Sequence, residues 1–422
     1  MIERQSIVIL GAGFGGLRAA SLIMKAVRRR GLEHQFRVVL VDRNSYHTYT
    51  PTLYEAATTS KETANYLKIK EIVAFPITEI VKGTGIEFLN VKIESLDLHD
   101  GDIHIEGGQK LKFNYLVLAL GSEINYFSIP GLQERSLPLK TFMDALKIRD
   151  TLLDLVSSGK KNIEIIIGGG GSTGVELAGE IQVWLGELKK EIKERDVKTT
   201  IIEASPTILP GFTEKIISAV GKRLQRLKVE IIANDPIEKV NPTKIVLKSR
   251  REVSYDILIW TGGVRASELV GALPLRIEKR GRVEVVGEME CLPQSSDLKL
   301  YGKIYAIGDI VCFYDPETGK PIPGVARAAL SQASIVASNI IAGITNSGRY
   351  KQYRPMNYPY IIPVGGKWAV AKIGSFTIIG FFGWLFKGLV ELSYFCSIMA
   401  PGKGFKLWIK GLWIFIKNDR LG

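Results

Sequence analysis

Cysteine and histidine are scarce in this 422-residue chain, with three of the first and four of the second. Cys291, Cys312 and Cys396 lie far apart and form no C-x-x-C pair. That spacing excludes a disulfide framework and a thiolate zinc site, and it fits a reducing, cytosolic compartment. His34, His47, His99 and His104 lack metal-ligand spacing, so no metal is expected. His99 and His104 flank Asp100-Gly101, a hairpin turn signal, and are expected to be exposed strand residues. Acidic residues are outnumbered, 43 against 56 Lys and Arg, giving a net charge of +13. Such a balance could serve nucleic acid, but no compact basic tract interleaved with aromatics occurs before residue 350. Nucleic acid is therefore not expected as a partner. No apolar run reaches the ~20 residues that span a bilayer. The longest, Ile373 to Phe386, is followed by Lys387 and Glu391. A strand-like run begins almost at the first residue, leaving no room for a signal peptide.

Glycine, in contrast, is plentiful and patterned. Gly11-Ala12-Gly13-Phe14-Gly15-Gly16 follows the apolar run Ile7 to Leu10. Gly169-Gly170-Gly171-Ser172-Thr173-Gly174 follows Ile163 to Ile167. In such a strand–turn–helix, the first glycine permits the tight turn and the second admits a pyrophosphate. The third lets helix and strand pack closely, and the helix N-terminus offers its unpaired N–H groups. Each turn is followed by a second apolar run ending in an acid, Asp42 and Glu203. A carboxylate there can accept ribose hydroxyls. The spacing exceeds the usual ~20 residues, with the extra length assigned to Arg28–Gln35 and to a charged helix around Glu187 to Asp196. No Lys or Arg lies in Ala204 to Pro210 to receive a 2′-phosphate, which favours NAD(H) over NADP(H). Two dinucleotide sites in one chain imply two cofactors exchanging electrons, one of them a flavin.

The length admits two or three domains, and 46% hydrophobic residues can bury a large core. The pattern predicts short strands over Ile86 to Phe113, a buried strand Tyr115 to Leu120 and a crossover turn at Ile129-Pro130-Gly131. It then predicts a βαβ unit over Ile163 to Glu203, a helix over Glu214 to Leu227 and strands near Val229, Lys244 and Tyr255. A strand ending in Gly308-Asp309 and a long helix over Ala326 to Ile341 follow. The chain is thus expected to leave its first domain near residue 130 and to return after about residue 270, as one α/β unit nested in another. The expected division is 1–129 with 271–345, then 130–270, then a C-terminal segment 346–422.

That segment is aromatic-rich and holds Trp368, Trp384, Trp408 and Trp413. At 100° per residue, Lys403, Lys406, Lys410, Lys417 and Arg420 fall within an arc of about 100°. Phe405, Leu407, Trp408, Leu412 and Phe415 lie opposite. A basic face against an aromatic face suits a helix lying in the interface of an anionic membrane. A dimerisation or core-covering helix pair is the competing reading.

The chain resembles the type II NADH dehydrogenases, single-subunit NADH:quinone oxidoreductases among the flavoproteins with two dinucleotide-binding domains. Ile9–Gly16 with Val41-Asp42 carries the resemblance. So do Pro51–Ala57, Leu118–Glu123 with Tyr126–Gly131, Gly169–Glu180 and Ala306–Asp309. It implies two Rossmann-like domains, one nested in the other, and a C-terminal helical segment at the membrane interface. It also implies FAD at Gly11, Gly13, Phe14, Gly15, Gly16, Asp42, Arg43, Leu53, Gly121, Gly308, Asp309 and Ala326. NADH would lie at Gly169, Gly171, Thr173, Gly174, Glu203, Thr261 and Gly262. Glu176 would face the junction of nicotinamide and flavin, or else act as a first-turn acid complementing the helix dipole. The family places an Ala-Gln pair and later glutamines at the quinone side. Here Ala326-Arg327 stands instead, with Gln332 kept, so the acceptor contact is open. The resemblance further implies a quinone acceptor, a homodimer and peripheral attachment to the cytoplasmic side of the cell membrane. A cysteine-dependent disulfide reductase, a sulfide:quinone oxidoreductase, a flavoprotein with a non-quinone acceptor and a non-catalytic dinucleotide sensor are the rival readings.

Overall fold

The computed structural model describes residues 4–60, 65–188, 196–298, 302–356 and 358–418. The βαβ pattern begins with β1 (Gln5–Leu10), α1 (Phe14–Arg29) and β2 (Phe36–Asp42). β1 is a run of β-branched and leucine residues buried on both faces, as a central parallel strand requires. α1 buries Leu17, Ala20, Met24 and Val27 at three- and four-residue intervals and ends in Arg28 and Arg29, which complement the helix dipole.

β1 and β2 sit in a five-stranded parallel sheet ordered 304–306, 115–118, 5–10, 36–42, 87–90. The second unit repeats the theme with β3 (Asn162–Gly168), α2 (Ser172–Glu187) and β4 (Asp196–Ile202). Its five parallel strands run in the order 137–138, 257–260, 162–168, 196–202, 229–232. The first sheet takes strands from both sides of the second along the chain. The connection between α2 and β4, where a charged helix was expected, falls largely outside the described residues. Strands 93–97, 102–105 and 109–112 form the expected hairpins. His99 sits in the turn between the first two, while His104 is on a strand.

α3 (Ala326–Ile344) packs along α1. The C-terminal segment departs from expectation. A three-stranded antiparallel sheet, 360–363, 369–373 and 376–380, precedes α4 (Phe381–Ile398) and α5 (Pro401–Asn418). The apolar run Ile373 to Phe386 is therefore split between strand and helix, with Gly374 at φ +56° in the hairpin turn. Continuous hydrophobicity hides such a switch of period. The sheet is bolted to the second unit. Arg223 donates to the carbonyls of Val364 and Gly365 at 3.1 and 2.8 Å, and Glu180 accepts the Gly366 N–H at 3.2 Å.

α4 is long and apolar enough, by length and composition, to cross a membrane. In this fold, however, Lys387 and Glu391 turn inward, and Lys387 pairs with both Glu391 and Glu55. Phe381, Phe382, Leu385 and Leu389 are exposed. On α5, Phe405, Ile409 and Trp413 form an exposed stripe at i, i+4, i+8, with Lys403, Lys406 and Lys410 also outward. Leu407 and Trp408, grouped above with Phe405, instead pack inward beside Tyr49 and Phe75. A helix against a protein and an interface needs two apolar sides, and a single arc cannot separate them. Arg420 and the side chains of Phe415 and Lys417 lie outside the described portion.

Candidate functional site

Both glycine turns are built for close approach. Gly11 and Gly169 have φ of +103° and +108°. A Cβ on Gly16 would lie 1.8 Å from the Gly11 carbonyl oxygen, and one on Gly174 would lie 1.9 Å from that of Gly169. At Gly13 and Gly171 the same construction meets nothing within 4 Å, so these positions open onto free space. No side chain caps α1 or α2, and neither has an acid in its first turn. Their leading N–H groups are therefore left for an anion. The acids bind their turns in parallel fashion. Asp42 accepts the N–H groups of Ala12 and Asn44, both at 2.7 Å. Glu203 accepts those of Gly170 and Ser205, both at 2.6 Å.

One cavity of about 2350 Å³ connects the two units. Gly11, Gly13, Phe14, Gly15, Asp42, Arg43 and Leu53 line it on the first unit, joined by Gly121, Gly308, Asp309, Ala326 and Arg327. Thr173, Glu176 and Thr261 line it on the second. Gly16, Gly169, Gly171, Gly174, Glu203 and Gly262 do not line it. A Cβ on Gly262 would strike the Trp260 ring at 2.4 Å. The donors, acids and open glycine positions thus fit two dinucleotides, one at each turn.

Asp309 follows Gly308 at φ +81° and accepts the Ser122 hydroxyl at 2.8 Å, which in turn accepts from Lys140 Nζ at 2.8 Å. Gln332 does not line the cavity. It is 1% exposed, and its Oε1 accepts the Gly308 N–H at 2.8 Å. It acts on the Gly308-Asp309 turn, not on a substrate. Arg327, second residue of α3, reaches the cavity near Tyr49. No carboxylate among the described residues pairs with it.

Glu176 stands past the first turn of α2, which holds no acid. Burial pushes its carboxyl well above the usual range; Lys387 opposes this and Glu55 adds to it. Lys387 Nζ lies 2.7 Å from Glu55 and 3.1 Å from Glu391. Burial alone would lower this lysine, but Glu391 and Glu55 reverse that and hold it charged. Three carboxyls around one ammonium leave a surplus of negative charge, which a proton on Glu176 relieves. The sequence signal for this cluster was the Lys387/Glu391 pair at i, i+4 within an apolar run. Charged residues in such a run are rarely buried unless paired.

His47 was missed altogether. It is buried, with Nδ1 3.0 Å from the Ala12 carbonyl and Nε2 2.7 Å from the Tyr394 hydroxyl. Burial lowers its pKa to about 4 against the opposing Ala12 bond. The ring is thus neutral, donating from Nδ1 and accepting at Nε2. An unfolded histidine titrates near ~6.5. As pH falls from there towards 4, the unfolded chain binds a proton that the folded chain refuses. Stability is full above that window and is lost within it, by about 3 kcal/mol at the lower end. Melting curves between pH 7 and 4.5 should show this slope in the wild type, and a shallower one in His47→Asn.

All three cysteines are free, and none lines the cavity. The profile of the pyridine nucleotide-disulphide oxidoreductase family matches residues 5–333. The type II NADH:quinone oxidoreductase of Staphylococcus aureus (strain NCTC 8325 / PS 47) is 26% identical over 416 residues, covering 96% of this chain and 98% of the relative. The fold is also that of NDH2 from Plasmodium falciparum, solved in complex with NADH. That match has a TM-score of 0.82 and 19% identity, covering 99% of this chain and 100% of that one. The sulfide:quinone oxidoreductase of Aquifex aeolicus follows at a TM-score of 0.76 and 20% identity, covering 94% and 92%. With two glycine turns opening on one cavity and the family profile spanning both, the chain belongs to the pyridine nucleotide-disulphide oxidoreductase family.

Proposed function

We propose that the chain is an FAD-dependent NADH:quinone oxidoreductase that moves two electrons from NADH to a membrane quinone without pumping protons. FAD is assigned to the unit formed by 1–129 and 271–345, and NADH to 130–270. The observation that carries this reading is the shared cavity, lined from both units and with Glu176 on its wall. Bound flavin would supply the hydride acceptor and the two-electron chemistry. The chain's own residues do the rest. Leading N–H groups of α1 and α2 receive the phosphates. Asp42 and Glu203 hold ribose hydroxyls, and Asp309, kept in place by Ser122 and Gln332, holds the sugar-phosphate part of the flavin. Glu176 holds a proton on its carboxyl at the cavity wall, its affinity raised by burial and Glu55 and opposed by Lys387.

The exposed apolar residues of α4 and α5, beside Lys403 and Lys406, suit peripheral docking on an anionic membrane at its cytoplasmic side. A homodimer would bring two such surfaces to one bilayer. The absence of any cysteine from the cavity wall weighs against a sulfide-oxidising or disulfide-reducing mechanism. Arg327 keeps a second reading in play, an NADH-dependent flavoprotein with an anionic, non-quinone acceptor.

Purified, flavin-loaded protein should oxidise NADH with a soluble quinone analogue; absence of quinone-dependent turnover overturns the assignment. A chain that binds NADH without bleaching its flavin would be a sensor instead. Glu176→Gln should slow turnover by about 100-fold or more while the bound FAD per chain stays unchanged. Equal rates would reduce Glu176 to a packing residue.

A further inference from the structure

Ala12 is held through the two separate peptide groups that flank it. Its N–H donates to Asp42 Oδ2 at 2.7 Å, and its carbonyl accepts from His47 Nδ1 at 3.0 Å. A peptide unit is planar and trans, so the direction of the Ala12 carbonyl sets the opposite direction of the Gly13 N–H. Gly13 is the position that opens onto the cavity. Turning that one peptide would swing a phosphate donor out of the mouth of the turn.

The second turn meets the same need with local means. Gly170, the counterpart of Ala12, donates its N–H to Glu203 Oε2 at 2.6 Å, and its carbonyl accepts the Leu209 N–H at 2.8 Å. Both of these partners belong to the second unit. In the first turn the carbonyl is held by a side chain with a further attachment, since His47 Nε2 accepts the Tyr394 hydroxyl at 2.7 Å. Tyr394 lies on α4, more than 340 residues along the chain. Its ring is 4.7 Å from that of Phe14, the first residue of α1.

We propose that His47 is a positioning residue of the first dinucleotide site, setting the Ala12–Gly13 peptide for a dinucleotide phosphate, and that Tyr394 makes this setting depend on how α4 is seated. The inference rests on the assignment of FAD to the first turn. Cofactor retention is then linked to a helix whose other side is apolar and exposed.

The test is FAD affinity, read by fluorescence quenching on deflavinated full-length protein. Tyr394→Phe removes one hydroxyl and should weaken FAD binding about three- to tenfold. His47→Asn keeps a donor for Ala12 and loses the tyrosine, so it should match Tyr394→Phe, and the double variant should be no worse than either. His47→Phe loses both bonds and should be weaker than His47→Asn. Phe395→Leu disturbs the same aromatic cluster without touching the chain of bonds. It should lower the melting temperature and leave FAD affinity unchanged. Wild-type affinity in both Tyr394→Phe and His47→Asn, additive losses in the double variant, or an equal loss in Phe395→Leu would each overturn the inference alone. A wild-type chain that takes up no FAD would overturn the flavin assignment along with it.

Discussion

Replacing Lys387 by methionine is expected to cost about 3–5 kcal/mol of stability, because it strands Glu55 and Glu391 without their counter-ion. Glu55 is 2% exposed and Glu391 14%, so water cannot take over the role of the ammonium. For a chain of this size the loss should appear as a fall of roughly 3–6 °C in melting temperature. A second consequence has a definite sign. Lys387 opposes the upward shift of Glu176, so its removal should carry any limb of the pH–rate profile that belongs to Glu176 to higher pH. Lys387→Arg keeps the charge and should retain most of the stability. An unchanged melting temperature in Lys387→Met would mean that the four groups do not act as a buried unit.

Gly174→Ala should abolish tight NADH binding and leave FAD in place. The new Cβ would lie 1.9 Å from the Gly169 carbonyl oxygen and 2.9 Å from Thr261 Oγ1. Backbone cannot give way by so much without moving α2 off β3, a distortion of about 1–3 kcal/mol. That corresponds to roughly ten- to a hundredfold in affinity, because the N–H groups aimed at the phosphates move with the helix. Gly16→Ala faces the same clash, at 1.8 Å, in the other sheet, and should release FAD. An NADH titration followed by flavin absorbance would read both. Loss of flavin from Gly174→Ala with NADH affinity intact would reverse the assignment of the two turns.

The glycine turns, their acids and the alternation of strands and helices were legible because each leaves a local mark: a spacing, a period, a residue type that sterics require. Glu176 was legible only through its neighbours in the Gly169–Glu180 motif. His47 and Tyr394 left no such mark. A histidine in a polar-aromatic stretch and a tyrosine in an apolar helix acquire their role only when the fold brings them within 2.7 Å. The switch from strand to helix inside Ile373 to Phe386 was hidden for a different reason. The strand leaves Phe376 and Ile379 exposed and the helix leaves Phe381, Phe382 and Leu385 exposed, so the run stays apolar across the switch. Gln332 shows the converse case, where a residue matched by family position serves the turn beside the cavity.

The C-terminal segment grips both units at once. Its sheet is riveted to the second unit through Arg223 and Glu180. Its helix is tied to the first through His47, Glu55 and Arg18, whose guanidinium donates to the Ser397 carbonyl at 2.7 Å. Such a segment works as a splint. The two halves cannot rotate against each other unless a hairpin or a helix lets go, so the gap between the two glycine turns is held by residues outside both turns. Damage far down the chain would then lengthen the path of the electrons and, where it reaches Tyr394, slacken the first turn as well.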